Sequence, residues 1–422
     1  MLRAIARPST LLLASLLALP ADESQAQARI GPVDTTGPAI HWDGQGLRLR
    51  APGNDRQLRL RNVIQMDMPR LWIGDDQPGI SSFAIRRARM TMDIVLHPRV
   101  SMRLMPEFSA NGVVDLEDGF ADVSFSQATW LRVGRFRSPY GQERATLIID
   151  QYFPERSIAS SLTSNRDQGL QLIHEINRGE LELMGGVSNG VPDNASAFAD
   201  ANTDKDLAAR IIWRPRRRTV RGSAQGLVLG SSATRGRQSP RGTDLQTPAF
   251  RTPTGTTWFT YRTGVGGTVA DGWRERVGGF AQLHEGRLSL NYEVLANRAM
   301  LRRGTAAARV PTSSWLALAA WSLTDHPASQ IGLTPQHGEG AWQLATRVAR
   351  VSIGDAAFPV FADRATAPHE ATEAAIGLNW FLQRQTKIQT AYEMIRFRGG
   401  SALGAGDRPT ERYATVRLQV MF

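Results

Sequence analysis

The sequence contains no cysteine, which removes disulfide staples, thiolate metal sites, cysteine nucleophiles and a lipid-modified cysteine from consideration. Lysine is almost missing too: of 50 basic residues only Lys205 and Lys387 are lysine, and the rest are arginine. Nowhere do 18 apolar residues run together, the densest late stretch being Trp315 to Trp321, so spanning helices are excluded. Common catalytic motifs are absent as well, with no H-E-x-x-H, no G-x-S-x-G and no phosphate loop with its lysine. The seven histidines are scattered mainly at expected turns. His284-Glu285, His337 to Glu339 and the carboxylates Asp115, Glu117, Asp118 and Asp122 therefore read as surface or structural groups, and neither an enzyme, a metal site nor a cofactor is expected.

What is present begins with an address. Arg3 and Arg7 precede the apolar run Thr10 to Leu19, which Pro20 and then Ala26-Gln27-Ala28 follow. A basic front, a short apolar middle and an A-x-A end make residues 1–28 a secretory signal peptide. Residues 29–55 read as an N-terminal periplasmic or extension segment, and 56–422 as the folded body. The whole sequence has 39 glycines and a mean hydropathy of -0.28, and its body is either soluble in the periplasm or enters a membrane as strands.

Period-two alternation decides between the two. Leu58, Leu60, Ile64, Met66 and Met68 share one face against Arg59, Arg61, Gln65 and Asp67; Val100, Met102, Leu104 and Phe108 oppose Ser101, Arg103 and Glu107. The chain ends the same way, with Val416, Leu418, Val420 and Phe422 alternating with Arg417, Gln419 and Met421. Similar segments of about ten residues recur throughout, separated by short turns such as Asn177-Arg178-Gly179 alternating with longer connections. The stretch 254–272 reads as either a strand or a long loop. At about 25 residues per strand and connection, the chain after the signal peptide holds about 16 strands, enough to enclose a water-filled lumen. The expected fold is an all-β, transmembrane antiparallel β-barrel, its last strand paired with its first because no backbone group can stay open in hydrocarbon. Trp130, Trp213, Trp315, Trp321 and Trp380 fall near strand ends, where an aromatic girdle would sit.

Charge suggests the task. The formal net charge is +11, and Arg59, Arg61, Arg103 and Arg417 lie opposite apolar faces, so in a barrel they point into the lumen. Cations lining such a pore attract anions, and the planar guanidinium fork matches phosphate or carboxylate oxygens. Export argues against nucleic acid as the partner.

Four blocks then resemble the phosphate-selective porins O and P: Phe83-Ala-Ile-Arg-Arg-Ala-Arg89, Leu116-Glu-Asp-Gly-Phe-Ala-Asp-Val123, Val133 to Arg144, and Pro154-Glu-Arg-Ser157. Further matches occur at Gly340-Ala-Trp342 and Gly377-Leu-Asn-Trp-Phe381. The resemblance implies a homotrimeric barrel of 16 strands in the outer-membrane lipid of a Gram-negative bacterium, its third outer loop, about 137–165, folded inward. It implies passive uptake of inorganic phosphate or related anions, while bidentate capture by arginine in place of lysine would favour longer chains such as pyrophosphate. The family's paired constriction arginines match Arg86 and Arg87, two further basic positions match Arg144 and Arg156, and an acidic residue that limits how tightly the anion is held matches Asp118; Arg59, Arg61 and Arg103 add a lumen ladder. Two adjacent strand residues start on opposite faces, so one of Arg86 and Arg87 must curl around a rim or pack at a subunit contact; if the strand begins only after them, both can reach the lumen. The sequence departs from the pattern at Arg89, where a phosphate-selective relative has tyrosine, and in the general loss of lysine. A salt bridge from Arg144 or Arg156 to Glu143, Asp150 or Glu155 is an alternative to anion contact. A different class of function is a structural or adhesive barrel, its Arg-rich loops 231–256 and 298–310 binding anionic surface polymers.

Overall fold

The computed structural model describes residues 39–42, 46–52, 56–74, 82–109, 113–196, 203–220, 223–240, 245–335, 340–401 and 406–422. Residues 1–28, expected to be a signal peptide, lie outside the described residues. Sixteen strands form the barrel: β1 (Gln57–Ile73), β2 (Ala84–His97), β3 (Val100–Glu107), β4 (Asp115–Ser124), β5 (Thr129–Arg137), β6 (Arg166–Ile176), β7 (Leu181–Ser188), β8 (Asp206–Trp213), β9 (Ser223–Gln238), β10 (Val269–Glu285), β11 (Leu288–Arg303), β12 (Ala306–Ser322), β13 (Ala341–Ile353), β14 (Glu370–Gln383), β15 (Thr386–Arg398) and β16 (Glu411–Met421). Each pairs antiparallel with the next, and β16 closes on β1 from Glu411–Ile73 to Met421–Val63. The Phe422 amide donates to the Asn62 carbonyl at 3.1 Å, so the terminal aromatic is itself part of the seam. Within the extension, Ala39–Trp42 and Leu47–Arg50 form a hairpin that continues the sheet on β1 beyond the end of β16.

The faces are inverted relative to a soluble protein. On β16, Arg417 is 0% exposed while its neighbour Leu418 is 40% exposed. The same alternation gives buried Gln65, Asp67, Glu293, Arg347 and Glu373 against exposed Ile64, Met66, Val294, Val348 and Ile376. Apolar groups outward and polar groups inward is the pattern of a barrel whose solvent outside is hydrocarbon. Trp321 and Trp213 are exposed near strand ends, and Trp342 stacks on Trp380 at 5.2 Å, as a girdle requires. Trp130 does not join them: it packs inward with Ile173 and Met184.

Two stretches expected as loops contain strand. Residues 231–238 extend β9, and 298–310 form the ends of β11 and β12 around Gly304-Thr305. Arg235, Arg237, Arg298, Arg302 and Arg309 occupy outward positions, whereas Arg303 is out of step and donates to the Gly266 and Val360 carbonyls, so a charge-rich composition that looked like loop is a strand projecting past its apolar stretch. The ambiguous 254–272 divides: Thr257–Thr260 pairs with Ala249–Arg251 as a small separate ribbon, and β10 starts at Val269. That ribbon brings Phe250, Trp258 and Phe259 into one apolar cluster with Tyr140, Ile158 and Leu162 of 138–165 and Phe358 and Phe361 of 354–369. Phe250 stacks on Phe259 at 5.6 Å and Phe259 meets Tyr261 edge-on at 5.0 Å, pairs worth about 0.5–1.5 kcal/mol each beyond burial.

Candidate functional site

Segment 138–165 follows β5 and carries three short helical turns, Gln142–Ala145, Ile148–Asp150 and Ile158–Leu162. Gly141 starts it at φ 89, where a side chain would be strained and a Cβ would stand 2.4 Å from Thr163. The turn aims the next two amides at one carboxylate: Gln142 and Glu143 both donate to Glu293 of β11, the second at 3.0 Å. From there the segment bonds the buried faces of the strands one after another. Glu373 of β14 accepts from the Ile158 amide at 2.8 Å, Asn379 donates to the Tyr152 carbonyl at 3.0 Å, and Lys387 of β15 donates to the Ile149 and Gln151 carbonyls at 2.8 and 3.0 Å. Arg347 of β13 donates to the Glu155 carbonyl at 2.9 Å and pairs with Glu373 and Glu393. Buried backbone groups need partners, and here the polar faces supply them.

The paired arginines are resolved by a bulge. Gln65 faces Arg87 across the β1–β2 ladder and Met66 faces Ile85, so Arg86 is an extra residue with no partner of its own in the ladder. A bulge re-aims a side chain that strict alternation would send outward. Both guanidiniums consequently meet Glu155, Arg86 at 3.0 Å and Arg87 at 2.9 Å, although the strand begins before them at Ala84. Arg417 completes this hub, 2.6 Å from Glu155 and also 2.6 Å from Asp67. Burial alone would raise the proton affinity of Glu155, but Arg87, Arg417 and Arg86 together hold its pKa well below the ordinary carboxylate value.

Most other inward arginines have carboxylate partners. Arg61 and Arg103 each lie 2.6 Å from Asp93, and Arg59 faces that same residue across the ladder. Arg132 forks onto Asp122 at 2.8 and 3.0 Å. Asp118 accepts from Arg166 at 3.0 Å, and Glu117 takes Arg166 at 2.6 Å together with Arg89. Arg89, the departure from the family pattern, thus sits between Glu117 and Glu107, the latter at 2.6 Å.

Arg144 and Arg156 differ. Arg144 donates to the Thr163 hydroxyl at 3.1 Å and the Ser160 carbonyl at 2.8 Å; Arg156 donates to the carbonyls of Glu143 at 3.1 Å and Thr146 at 2.9 Å. Arg137, at the end of β5, donates to the Ala145 carbonyl at 2.8 Å. Among the described residues none of these three guanidiniums forms an ion pair, and the bridges weighed to Glu143, Asp150 or Glu155 are not made; neutral oxygens hold them instead. Burial lowers the proton affinity of Arg156 well below the usual arginine value, and Arg144, Arg137 and Arg87 lower it further. Arg144 falls to about 10 by burial, Glu143 offsetting part of this and Arg166 adding to it. Guanidiniums that depress one another are short of negative charge. Below the segment, a space of about 1060 Å³ open to solvent is lined by Arg61, Arg89, Arg103, Arg137 and Lys387 among its cations, with Asp118 and Asp150 as its carboxylates. Arg137 was not singled out from sequence, although it lies inside the Val133 to Arg144 block; Glu155 was considered only as a bridge to Arg144 or Arg156.

The chain belongs to the phosphate-selective porin O and P family, whose model matches residues 57–422. Its fold is similar to that of the outer-membrane channel DcaP of Acinetobacter baumannii, at 9% identity and TM-score 0.57, covering 87% of this chain and 98% of that one. It is also similar to an anion-selective porin from Comamonas acidovorans, at 12% identity and TM-score 0.53 over 87% and 100% of the chains, and to the trimer form of OmpT from Vibrio cholerae, at 9% and 0.51 over 87% and 100%. No curated protein matches the chain by sequence. The protein is an outer-membrane porin.

Proposed function

We propose that this porin conducts small anions, phosphate and its condensed relatives above all, past the segment 138–165, and that Arg137, Arg144 and Arg156 are the groups on which the anion rests. The observation that carries this reading is their lack of any carboxylate partner among the described residues, in a barrel whose other inward arginines are mostly neutralised. Each is held by neutral oxygens, which leaves its charge for a guest; an arginine fork meets phosphate oxygens two at a time. Below them the guest passes Arg61, Arg89, Arg103 and Lys387. Flux demands binding weak enough to release, and Asp118, Glu117 and Asp93 provide that by tempering the same wall. Arg86 and Arg87 act here chiefly through Glu155, fixing the segment and leaving a residual positive charge beside the path. The assembly in this reading is a trimer, as the family resemblance implies.

The test is a planar-bilayer measurement of reversal potentials in chloride, phosphate and pyrophosphate gradients. The expected result is permeability to anions above potassium; cation preference or no conductance overturns the proposal. Changing Arg144 to Glu is expected to shift the reversal potential towards potassium, and an unchanged value removes Arg144 from the path.

A further inference from the structure

Arginine also marks the outside of the barrel. On β11 the outward positions Leu290, Tyr292, Val294 and Ala296 are apolar, and the next outward side chains towards the 304–305 turn include Arg298 and Arg302. On β15 Ile388, Tyr392 and Met394 give way to Arg396 and Arg398. On β13 Val348 is followed by Arg350, and on β9 Leu227, Leu229 and Ala233 lead to Arg235 and Arg237. β12 runs the other way and carries Arg309 before Trp315 and Ala317. All these arginines stand at the same end of the barrel, opposite the short turns 98–99, 286–287 and 384–385, and therefore at the outer rim.

They form a connected belt across the sheet. Arg235, Glu275 and Arg298 lie in register on three successive strands. Glu275 reaches Arg235 at 3.6 Å and Arg309 at 3.8 Å, while Glu370 is shared by Arg398 at 3.3 Å and Arg350 at 3.6 Å. Arg302 meets Asp271 at 2.5 Å. These carboxylates are fewer than the arginines, and Arg237, Arg298 and Arg396 pair with none among the described residues. The arc from β2 to β4 is different: its outer end exposes Phe83, Ile85, Phe108 and Val113, and among the described residues the one exposed arginine there, Arg86, turns to Glu155. A uniform arginine bias of composition does not produce that asymmetry.

We infer that the belt on β9 to β15 binds the phosphorylated headgroups of an anionic glycolipid in the outer leaflet, with the acyl chains lying on the apolar strips directly beneath. A guanidinium aimed at lipid is tolerated only near the interface, where its long stem covers apolar surface and its head finds an anion. An arginine row set just above apolar strips fits a molecule that carries phosphate and hydrocarbon together better than a free soluble anion.

The experiment uses the full porin in phosphatidylcholine nanodiscs containing either bisphosphorylated or dephosphorylated lipid A, with retained glycolipid counted by native mass spectrometry. Wild type is expected to retain the bisphosphorylated form preferentially. The triple variant R237Q/R298Q/R396Q is expected to retain about tenfold less, its reversal potential in chloride being unchanged. A second triple variant with lysine at the three positions keeps the charge and recovers most of the binding, and heat-modifiability on gels verifies that each barrel is folded. Equal retention of the two glycolipids by wild type, or wild-type retention by the glutamine variant, overturns the inference. Loss of anion selectivity in that variant also overturns it, since the arginines would then face the lumen.

Discussion

Replacing Glu155 by glutamine separates the two roles assigned to the arginines. The carboxylate takes Arg86 at 3.0 Å, Arg87 at 2.9 Å and Arg417 at 2.6 Å. Glutamine keeps one acceptor of similar shape but removes the charge. The segment stays in place, because Arg347 still holds the carbonyl of residue 155 at 2.9 Å and Arg417 still reaches the Pro154 carbonyl and Asp67. What changes is the field: Arg86 and Arg87 lose their counter-charge beside Arg156. One unit charge removed at roughly 4–7 Å, in surroundings between surface-like and water-like, is worth about 1 kcal/mol, or a factor of about five in binding. Block of the chloride current by phosphate measures this directly. The Glu155→Gln porin is expected to be blocked at about fivefold lower phosphate concentration, with a longer residence per event. Unchanged or weaker block refutes the reasoning, since Glu155 would then neither neutralise nor oppose charge on the path.

Three other outcomes follow from the same contacts. Arg347→Met leaves Glu373 and Glu393, both buried, without their cation; breaking such a group costs about 3–5 kcal/mol, and a heat-modifiability midpoint clearly below wild type is the expected reading. Gly141→Ala puts a side chain at φ 89 and a methyl 2.4 Å from Thr163, a strain of about 1–3 kcal/mol at the point where 138–165 leaves the wall, expected to appear as increased open-channel noise in single-channel records. The pH dependence has a definite sign. Because the folded value of Glu155 lies below its ordinary 4.5, its counter-charge to Arg86, Arg87 and Arg417 is fully present above that value and is lost only as pH falls through the lower folded one. The difference in chloride-over-potassium selectivity between wild type and Glu155→Gln is therefore expected to stay constant from pH 8 to 5 and to vanish at more acid pH; a difference that disappears near neutrality refutes the assignment.

The sequence revealed the barrel because its period is a property of neighbours: Leu418 and Arg417 disclose their opposite environments without any knowledge of the rest of the chain. Closure was legible for the same reason, a terminal strand whose backbone needs a partner in hydrocarbon and finds it in β1. Pairing across the wall was not. Nothing local says that Asp93 collects Arg61 and Arg103, that Arg132 finds Asp122, or that Arg144 and Arg156 are left to neutral oxygens, since each depends on register between strands or on where 138–165 runs. The arginine-rich stretch 298–310 misled because composition cannot tell a solvated loop from a strand rising beyond the bilayer. Arg86 and Arg87 are the sharpest case. Alternation sends one of two neighbours to lipid, at about 2–4 kcal/mol if near the midplane, and the chain avoids this by inserting Arg86 as a bulge. Both charges then converge on a glutamate from a segment about seventy residues away, so an apparent conflict in the local pattern is where the fold departs from regular pleating to build its interior.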